Sequence, residues 1–206
     1  LNAERDDLER RGRSEVRSEL DLPGEAPVLL FLGRLIPKKG TDLLIEAFGR
    51  LRSKRTATLL VIGDGPERAA MEDRVRNEEI PDVRFLGAIA EERRLAPYLY
   101  AADLLLNPGY LGLSVNQAFT FGLPVIAQEA PADRRFHSPE IAYVRSGENG
   151  VLVPWGETAE MVSAVETVIE DRERFSDAAR RFADEHLGLD RMVDHLEEAI
   201  SFAART

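Results

Sequence analysis

Five short runs of nearly continuous apolar residues punctuate the first 128 positions, and stretches with helical spacing lie between them. The runs are Val28–Gly33, Ala57–Gly63, Val83–Gly87, Asp103–Asn107 and Pro124–Gln128. Strands buried on both faces read this way, because neither face alternates with solvent. Between them, Thr41 is placed to cap a helix that carries Leu44, Ala47, Phe48 and Leu51 on one face. Pro66 suits the first turn of a helix running toward Glu79, and shorter helices are predicted over Glu91–Tyr100 and Leu113–Phe121. Such alternation is the signature of right-handed βαβ units. It predicts an α/β fold with a doubly wound, Rossmann-like parallel sheet.

The flanks differ. Residues 3–20 are charged, with Leu8, Val16 and Leu20 as sparse apolar positions, and read as a surface helix or linker ended by Pro23, Gly24 and Pro27. Gly147-Glu148-Asn149-Gly150 signals a turn before a sixth strand at Val151-Leu152-Val153, and Trp155 is expected to be a packing anchor. Beyond it the pattern is helical, with one stripe at Met161, Val162, Val165, Val168 and Ile169. A second stripe falls at Met192, Val193, Leu196, Ala199 and Ile200. The expected organisation is a helix or linker over 1–26, a Rossmann-like domain over 27–156, and a helical tail over 157–206 packed on it.

Composition narrows the function classes. The chain has 206 residues, 44% of them hydrophobic, enough for a real core. No run approaches the roughly 20 apolar residues of a spanning helix, which leaves peripheral membrane contact open. The opening residues lack the apolar stretch of a signal peptide, and cysteine is absent, so a cytoplasmic setting is expected. A net charge of −10 argues against a nucleic-acid partner, so any anionic ligand must meet a local basic cluster. There is no Asp-x-Asp, and His137, His186 and His195 have no ligand spacing, so no metal site is predicted.

Ligands of doubly wound sheets bind beyond the carboxyl ends of the strands, and glycines cluster there: Gly33, Gly63, Gly65, Gly87, Gly109 and Gly112. In Gly33-Arg34-Leu35-Ile36-Pro37-Lys38-Lys39-Gly40, Arg34 and Lys39 can flank a diphosphate, or the segment is a solvated turn. Gly63-Asp64-Gly65 mimics a dinucleotide fingerprint, but Arg68 stands where the third glycine belongs, which argues against NAD. Asn107 to Gln117 reads as strand, glycine-rich loop, then helix; its free N–H groups suit a phosphate, or its glycines serve turn geometry alone. Gly112-Leu113-Ser114-Val115-Asn116 lacks the closing glycine of a hydrolase elbow. His137 reads as a loop residue near the ligand edge.

Six of these pieces occur in one order: Gly-Arg-Leu…Lys-Gly at 33–40, Gly-Asp-Gly-Pro at 63–66 and Val-x-Phe-Leu-Gly at 83–87, then Tyr-Ala-Ala-Asp at 100–103, Gly-Leu-Pro-Val-Ile at 122–126 and Gly-Glu-Asn-Gly at 147–150. In that order they resemble the C-terminal, donor-binding domain of the group 1 (family 4) glycosyltransferases, which have the GT-B fold. The resemblance implies a nucleotide-diphosphate sugar as donor substrate, with no cofactor and generally no metal. It implies a hexosyltransferase whose acceptor sits on an N-terminal domain, so that this domain alone would be inactive. Arg34 and Lys39 would neutralise the diphosphate and act as the catalytic pair. Gly87, Ala88 and Ile89 would hold the nucleobase, while Gly33, Gly63, Gly65, Gly112, Leu113 and Ser114 would surround the phosphates and sugar. The family usually has two glutamates eight positions apart around the glycine loop, where this chain has Gly109 and Gln117. Gln117 can still bond ribose hydroxyls, whereas Gly109 offers only backbone. The departure admits a second reading, a non-catalytic nucleotide- or protein-binding module of the same fold.

Overall fold

The computed structural model describes residues 1–131, 133 and 136–188. Six strands form a single parallel sheet in the order β3-β2-β1-β4-β5-β6: β1 Val28–Leu32, β2 Thr58–Ile62, β3 Val83–Gly87, β4 Leu104–Asn107, β5 Val125–Gln128 and β6 Gly150–Val153. The winding reverses between β1 and β4, where Leu30 pairs with Leu60 on one side and Leu105 on the other. That reversal opens a crevice at the carboxyl ends of β1 and β4, the general ligand position of doubly wound sheets.

Every residue of β1, β2, β4 and β5 is buried, which is why their sequences run apolar without alternation. Leu30, Leu60 and Leu105 enter one core with α5 (Glu92–Ala101) and α6 (Ser114–Thr120). Leu29, Phe31, Val61 and Leu106 enter the other with α3 (Thr41–Arg52) and α7 (Thr158–Glu170). Truncating a side chain as enclosed as Phe31 costs about 3–5 kcal/mol, so either layer is indispensable to the sheet. Helix α8 (Arg172–His186) covers α6.

Three local expectations shift. Thr41 does not cap α3: Gly40 is the N-cap, at φ 68°, and Thr41 is the buried first residue of the helix. Pro66 lies in a turn ahead of α4 (Arg68–Asn77) rather than inside its first turn. The charged amino-terminal segment is more closely integrated than a surface helix or linker. It forms α1 (Asn2–Arg11) and α2 (Arg13–Glu19), broken at Gly12, and both pack on α5. The reason is electrostatic. Buried Asp103, just before β4, accepts Nη2 of Arg13 and Nη2 of Arg17 at 2.7 Å each, and the Val28 amide at 2.7 Å. Burial alone would raise the Asp103 pKa, but the two guanidiniums and the amide outweigh it and hold the carboxyl below its ordinary value. The second helical stripe and His195 lie outside the described residues.

Candidate functional site

The carboxyl ends of β1, β2 and β3 are zipped together by backbone alone. Gly33 N–H donates to Ile62 at 3.0 Å, Gly63 N–H to Gly87 at 2.9 Å, Leu35 N–H to Asp64 at 2.9 Å, and Glu67 N–H to Leu35 at 3.1 Å. A Cβ on Gly63 would lie 1.8 Å from the Gly33 oxygen, and one on Gly65 would lie 2.2 Å from the Leu35 oxygen. The close approach these two glycines permit is therefore that of one loop to another. Ala88 and half-buried Ile89 follow β3, at the far edge of the sheet.

At the winding reversal the chain concentrates charge. Arg34 is exposed and its side chain has no hydrogen-bond or ion-pair partner among the described residues. The next residues close a 3₁₀ turn, Pro37–Lys39, from which half-buried Lys39 reaches across the crevice. Its Nζ donates to the Tyr110 carbonyl at 2.8 Å, and its side chain passes over Gly33, where a Cβ would be in ordinary contact at 3.5 Å from Nζ. Desolvation, with a smaller contribution from Lys38, pushes the Lys39 pKa below its ordinary value. Neither cation is neutralised by a carboxylate among the described residues, so the crevice presents uncompensated positive charge on a chain of net charge −10. Lys38 Nζ sits 3.8 Å from the centroid of the Tyr110 ring, and Lys39 Nζ 5.3 Å from it.

The glycine loop between β4 and α6 is held from both sides. On the first, Tyr110 N–H donates to Lys38 at 2.8 Å, and Gly109 lies against the Lys39–Gly40 backbone, where a Cβ would fall 2.1 Å from the Lys39 carbonyl carbon. Gly109 thus has no free space beside it for a side chain. On the second side, Leu111 N–H donates to His137 Nδ1 at 3.0 Å while Ser138 Oγ donates to the Leu111 carbonyl at 2.7 Å. His137 is consequently a brace of the loop and not a bystander. Accepting through Nδ1 places its proton on Nε2, and desolvation pushes its pKa below the ordinary histidine value.

Helix α6 is short, seven residues, with Leu113 as N-cap. Gly112, Leu113 and Ser114 have backbone N–H groups with no acceptor among the described residues, and the Leu113 side chain is 69% exposed. Gln117 is half-buried on the next turn of α6, and its amide has no partner among the described residues. The structure therefore brings Lys39 together with Gly109 and Tyr110 across the winding reversal, while Arg34 follows β1, Gly112 and Leu113 lead into α6 at Ser114, and Gln117 lies one turn further along that helix. Gly63, Gly65, Gly87, Ala88 and Ile89 lie toward the β3 side. Residues such as Lys38, Tyr110, Ser138 and Asn107 carried no pattern by which to be singled out. Asn107, at the end of β4, is fully buried and both atoms of its amide lack a partner among the described residues. No group of three or more His, Cys, Asp or Glu placed to hold a metal occurs among the described residues. No helix there is long and apolar enough to cross a membrane.

Residues 26–171 match the sequence profile of the glycosyl transferases group 1. The chain belongs to this family. It is 32% identical, over 93% of its length, to the D-inositol 3-phosphate glycosyltransferase of Geodermatophilus obscurus, and 30% identical, over 75%, to the lipopolysaccharide core biosynthesis glycosyltransferase LpsE of Rhizobium meliloti. It spans 44% and 43% of those two proteins, less than half of each. Among solved structures it resembles Anabaena HepE in complex with UDP and glucose, with a TM-score of 0.74 and 24% identity over 92% of this chain and 52% of that one. It also resembles the C-terminal domain of the group 1 family protein LpcC from Francisella tularensis, with a TM-score of 0.72 and 22% identity over 86% of this chain and 94% of that one. These likenesses assign the GT-B group 1 architecture to the six-stranded sheet and its helices.

Proposed function

We propose that the crevice between β1 and β4 binds the diphosphate of a nucleotide sugar, and that the chain is the donor half of a glycosyltransferase. The observation that carries this is the pair Arg34 and Lys39, two cations without a carboxylate partner among the described residues, of which Lys39 is fixed to the Tyr110 carbonyl at the winding reversal and Arg34 is exposed just after β1. A diphosphate supplies the missing countercharge, and charge-assisted bonds in a partly desolvated crevice are the stronger kind. The N–H groups of Gly112 and Leu113 line the same opening, and Gln117 can reach a ribose hydroxyl. The nucleobase is placed toward Gly87–Ile89. The acceptor is assigned to a second domain, corresponding to the half of the longer relatives that this chain does not cover. As leaving-group charge develops on the diphosphate during transfer, Arg34 and Lys39 stabilise it in place of a metal.

HepE, of the same architecture, is seen with UDP and glucose, which supports UDP as the first probe. Calorimetric titration of the chain with UDP, GDP and ADP tests the reading. Saturable binding of one of them, weakened by Arg34→Ala, is the expected result; binding of none would overturn it.

A further inference from the structure

Lysine is rare in this chain. Lys38, Lys39 and Lys54 are the only three among 27 lysines and arginines, and two of the three meet on Tyr110. The Lys38 carbonyl accepts the Tyr110 N–H at 2.8 Å, and Lys38 Nζ stands 3.8 Å from the centroid of the Tyr110 ring. Lys39 Nζ donates to the Tyr110 carbonyl at 2.8 Å and lies 5.3 Å from the same centroid. One residue of the glycine loop is thus held by two consecutive lysines, through its amide, its ring and its carbonyl.

The surroundings of this contact are rigid. Gly40 and Gly109 meet backbone to backbone, where a Cβ on Gly40 would fall 2.9 Å from the Gly109 nitrogen. Phe136 packs edge-on against Tyr110 at 6.1 Å between centroids and against Trp155 at 4.6 Å. Trp155, expected from the sequence to be a packing anchor, is 37% exposed and supports Phe136 from outside both cores. The Tyr110 ring is half-buried and joins neither core, so core packing does not explain its place. Its partner does: a compact ammonium within about 6 Å of a tyrosine ring is attracted to the ring face.

The arrangement matters most for Lys39. An ammonium has three donors. One is spent on the Tyr110 carbonyl, and the other two have no acceptor among the described residues. A free lysine loses rotamer freedom when it meets an anion, whereas Lys39 is already held. We propose that Tyr110 and Lys38 are positioning residues for Lys39. Tyr110, clamped by Lys38, holds the Lys39 ammonium across the winding reversal with two N–H groups left for a diphosphate. The ligand side of this inference rests on the reading of Lys39 as a diphosphate contact; the clamp itself does not.

Calorimetric titration with UDP and with inorganic diphosphate tests the ligand side. Tyr110→Leu removes the ring and Lys38→Met the cation, and each is expected to weaken both ligands about two- to fivefold, the worth of an exposed cation–π contact. Tyr110→Phe and Lys38→Arg keep the ring and the charge and are expected to recover most of the affinity. In a Lys39→Ala background, Tyr110→Leu and Lys38→Met are expected to cause no further loss, because the residue through which they act is gone. Equal losses with and without Lys39 overturn the proposal. So does a loss in Lys38→Met with none in Tyr110→Leu, which would make Lys38 a phosphate contact in its own right.

The clamp is also read without any ligand. An isotope label at lysine Cε gives three NMR signals, and exposed Lys54 serves as the internal reference. Lys39, held and desolvated, is expected to titrate below Lys54 in the wild type and in Tyr110→Phe, and to move toward Lys54 in Tyr110→Leu. An unmoved Lys39 in Tyr110→Leu overturns the clamp whatever the ligands do. A wild-type chain that binds none of UDP, GDP and ADP ends the donor reading instead, and the lysine spectra still decide the clamp.

Discussion

Lys39 Nζ donates to the Tyr110 carbonyl oxygen at 2.8 Å, so one ammonium spans the crevice between the ends of β1 and β4. The side chain of the neighbouring Arg34 has no hydrogen-bond or ion-pair partner among the described residues. The two cations are therefore expected to separate in mutagenesis. Arg34→Ala should weaken nucleoside diphosphate binding about ten- to a hundredfold, the worth of a charged hydrogen bond of roughly 1.5–3 kcal/mol, at unchanged thermal stability. Lys39→Ala should lose comparable affinity and also lower stability by about 1 kcal/mol, because the Tyr110 carbonyl loses its donor. Calorimetry and thermal melts on both variants check this; unchanged affinity in Arg34→Ala would mean a plain surface charge.

Gly109 is predicted to be intolerant of any side chain. Its missing Cβ would fall 2.1 Å from the Lys39 carbonyl carbon and 2.4 Å from the Gly40 nitrogen, both backbone atoms that cannot swing away. Gly109→Ala should therefore displace the loop, lowering stability by several kcal/mol, on the order of overpacking costs or beyond. UDP and UDP-glucose should then lose affinity together. A Gly109→Ala chain with wild-type melting would contradict the packing.

The contrast between Arg34 and Gly109 shows what was legible in the sequence. The four inner strands were readable because a strand buried on both faces is apolar throughout, and the half-buried edge strands β3 and β6 because each is a short apolar run bounded by glycine or proline. Arg34 and Lys39 could be singled out because basic residues beside glycine at a strand's carboxyl end are a local pattern. The environment of Gly109 could not, since its neighbours, Lys39 and Gly40, are about seventy positions away and meet it only in the folded crossover. The same holds for Asp103, whose partners Arg13 and Arg17 are ninety and eighty-six residues distant. In the sequence those arginines look like ordinary charges of a solvated helix. His137 was read as a loop residue because the Leu111 amide it accepts is a backbone group, which has no sequence signature.

Asp103 supplies a stability prediction with a definite pH dependence. Removing the carboxylate leaves Arg17, whose side chain is 5% exposed, buried beside a neutral group, a change that costs about 3–5 kcal/mol for such pairs. Asp103→Asn should therefore be strongly destabilised. Because the folded pKa of Asp103 lies below its unfolded value of about 3.9, its contribution is complete above that pH and is lost as pH falls through the folded value. Denaturant melts between pH 3 and 7 should show the gap between wild type and variant narrowing toward the acid end. A constant gap would show that the ion pair is not its source.

His137 should behave in the same direction in a higher window. Its folded pKa is lowered by burial below the unfolded value of about 6.5, so its contribution is present above that pH and declines as pH falls below it. Protonating Nδ1 also removes the acceptor for Leu111 N–H, which frees the glycine loop. His137→Ala should lower nucleoside diphosphate affinity a few-fold, whereas His137→Asn, whose Oδ1 can take the place of Nδ1, should restore it and abolish the acid-side decline. Amide exchange at Leu111 follows the bond itself, and equal protection in His137→Ala and wild type would show that the imidazole does not hold the loop.

Gln117 occupies the position on α6 where a carboxylate would be expected in a group 1 enzyme, and its amide has no partner among the described residues. An uncommitted amide at the edge of a crevice is available to a ligand hydroxyl at no cost in broken protein contacts. Gln117→Ala should accordingly weaken UDP by about one neutral hydrogen bond, roughly 0.5–1.5 kcal/mol, with little change in stability. Gln117→Glu tests the departure from the family directly. A carboxylate accepts two ribose hydroxyls but adds a negative charge near a diphosphate, and screening in an exposed crevice keeps that repulsion modest. Equal or tighter binding of UDP by Gln117→Glu, together with unchanged binding of free inorganic diphosphate, is the expected pattern for a ribose contact. Loss of inorganic diphosphate binding in the same variant would place position 117 against the phosphates instead, and no effect in either variant would remove it from the site.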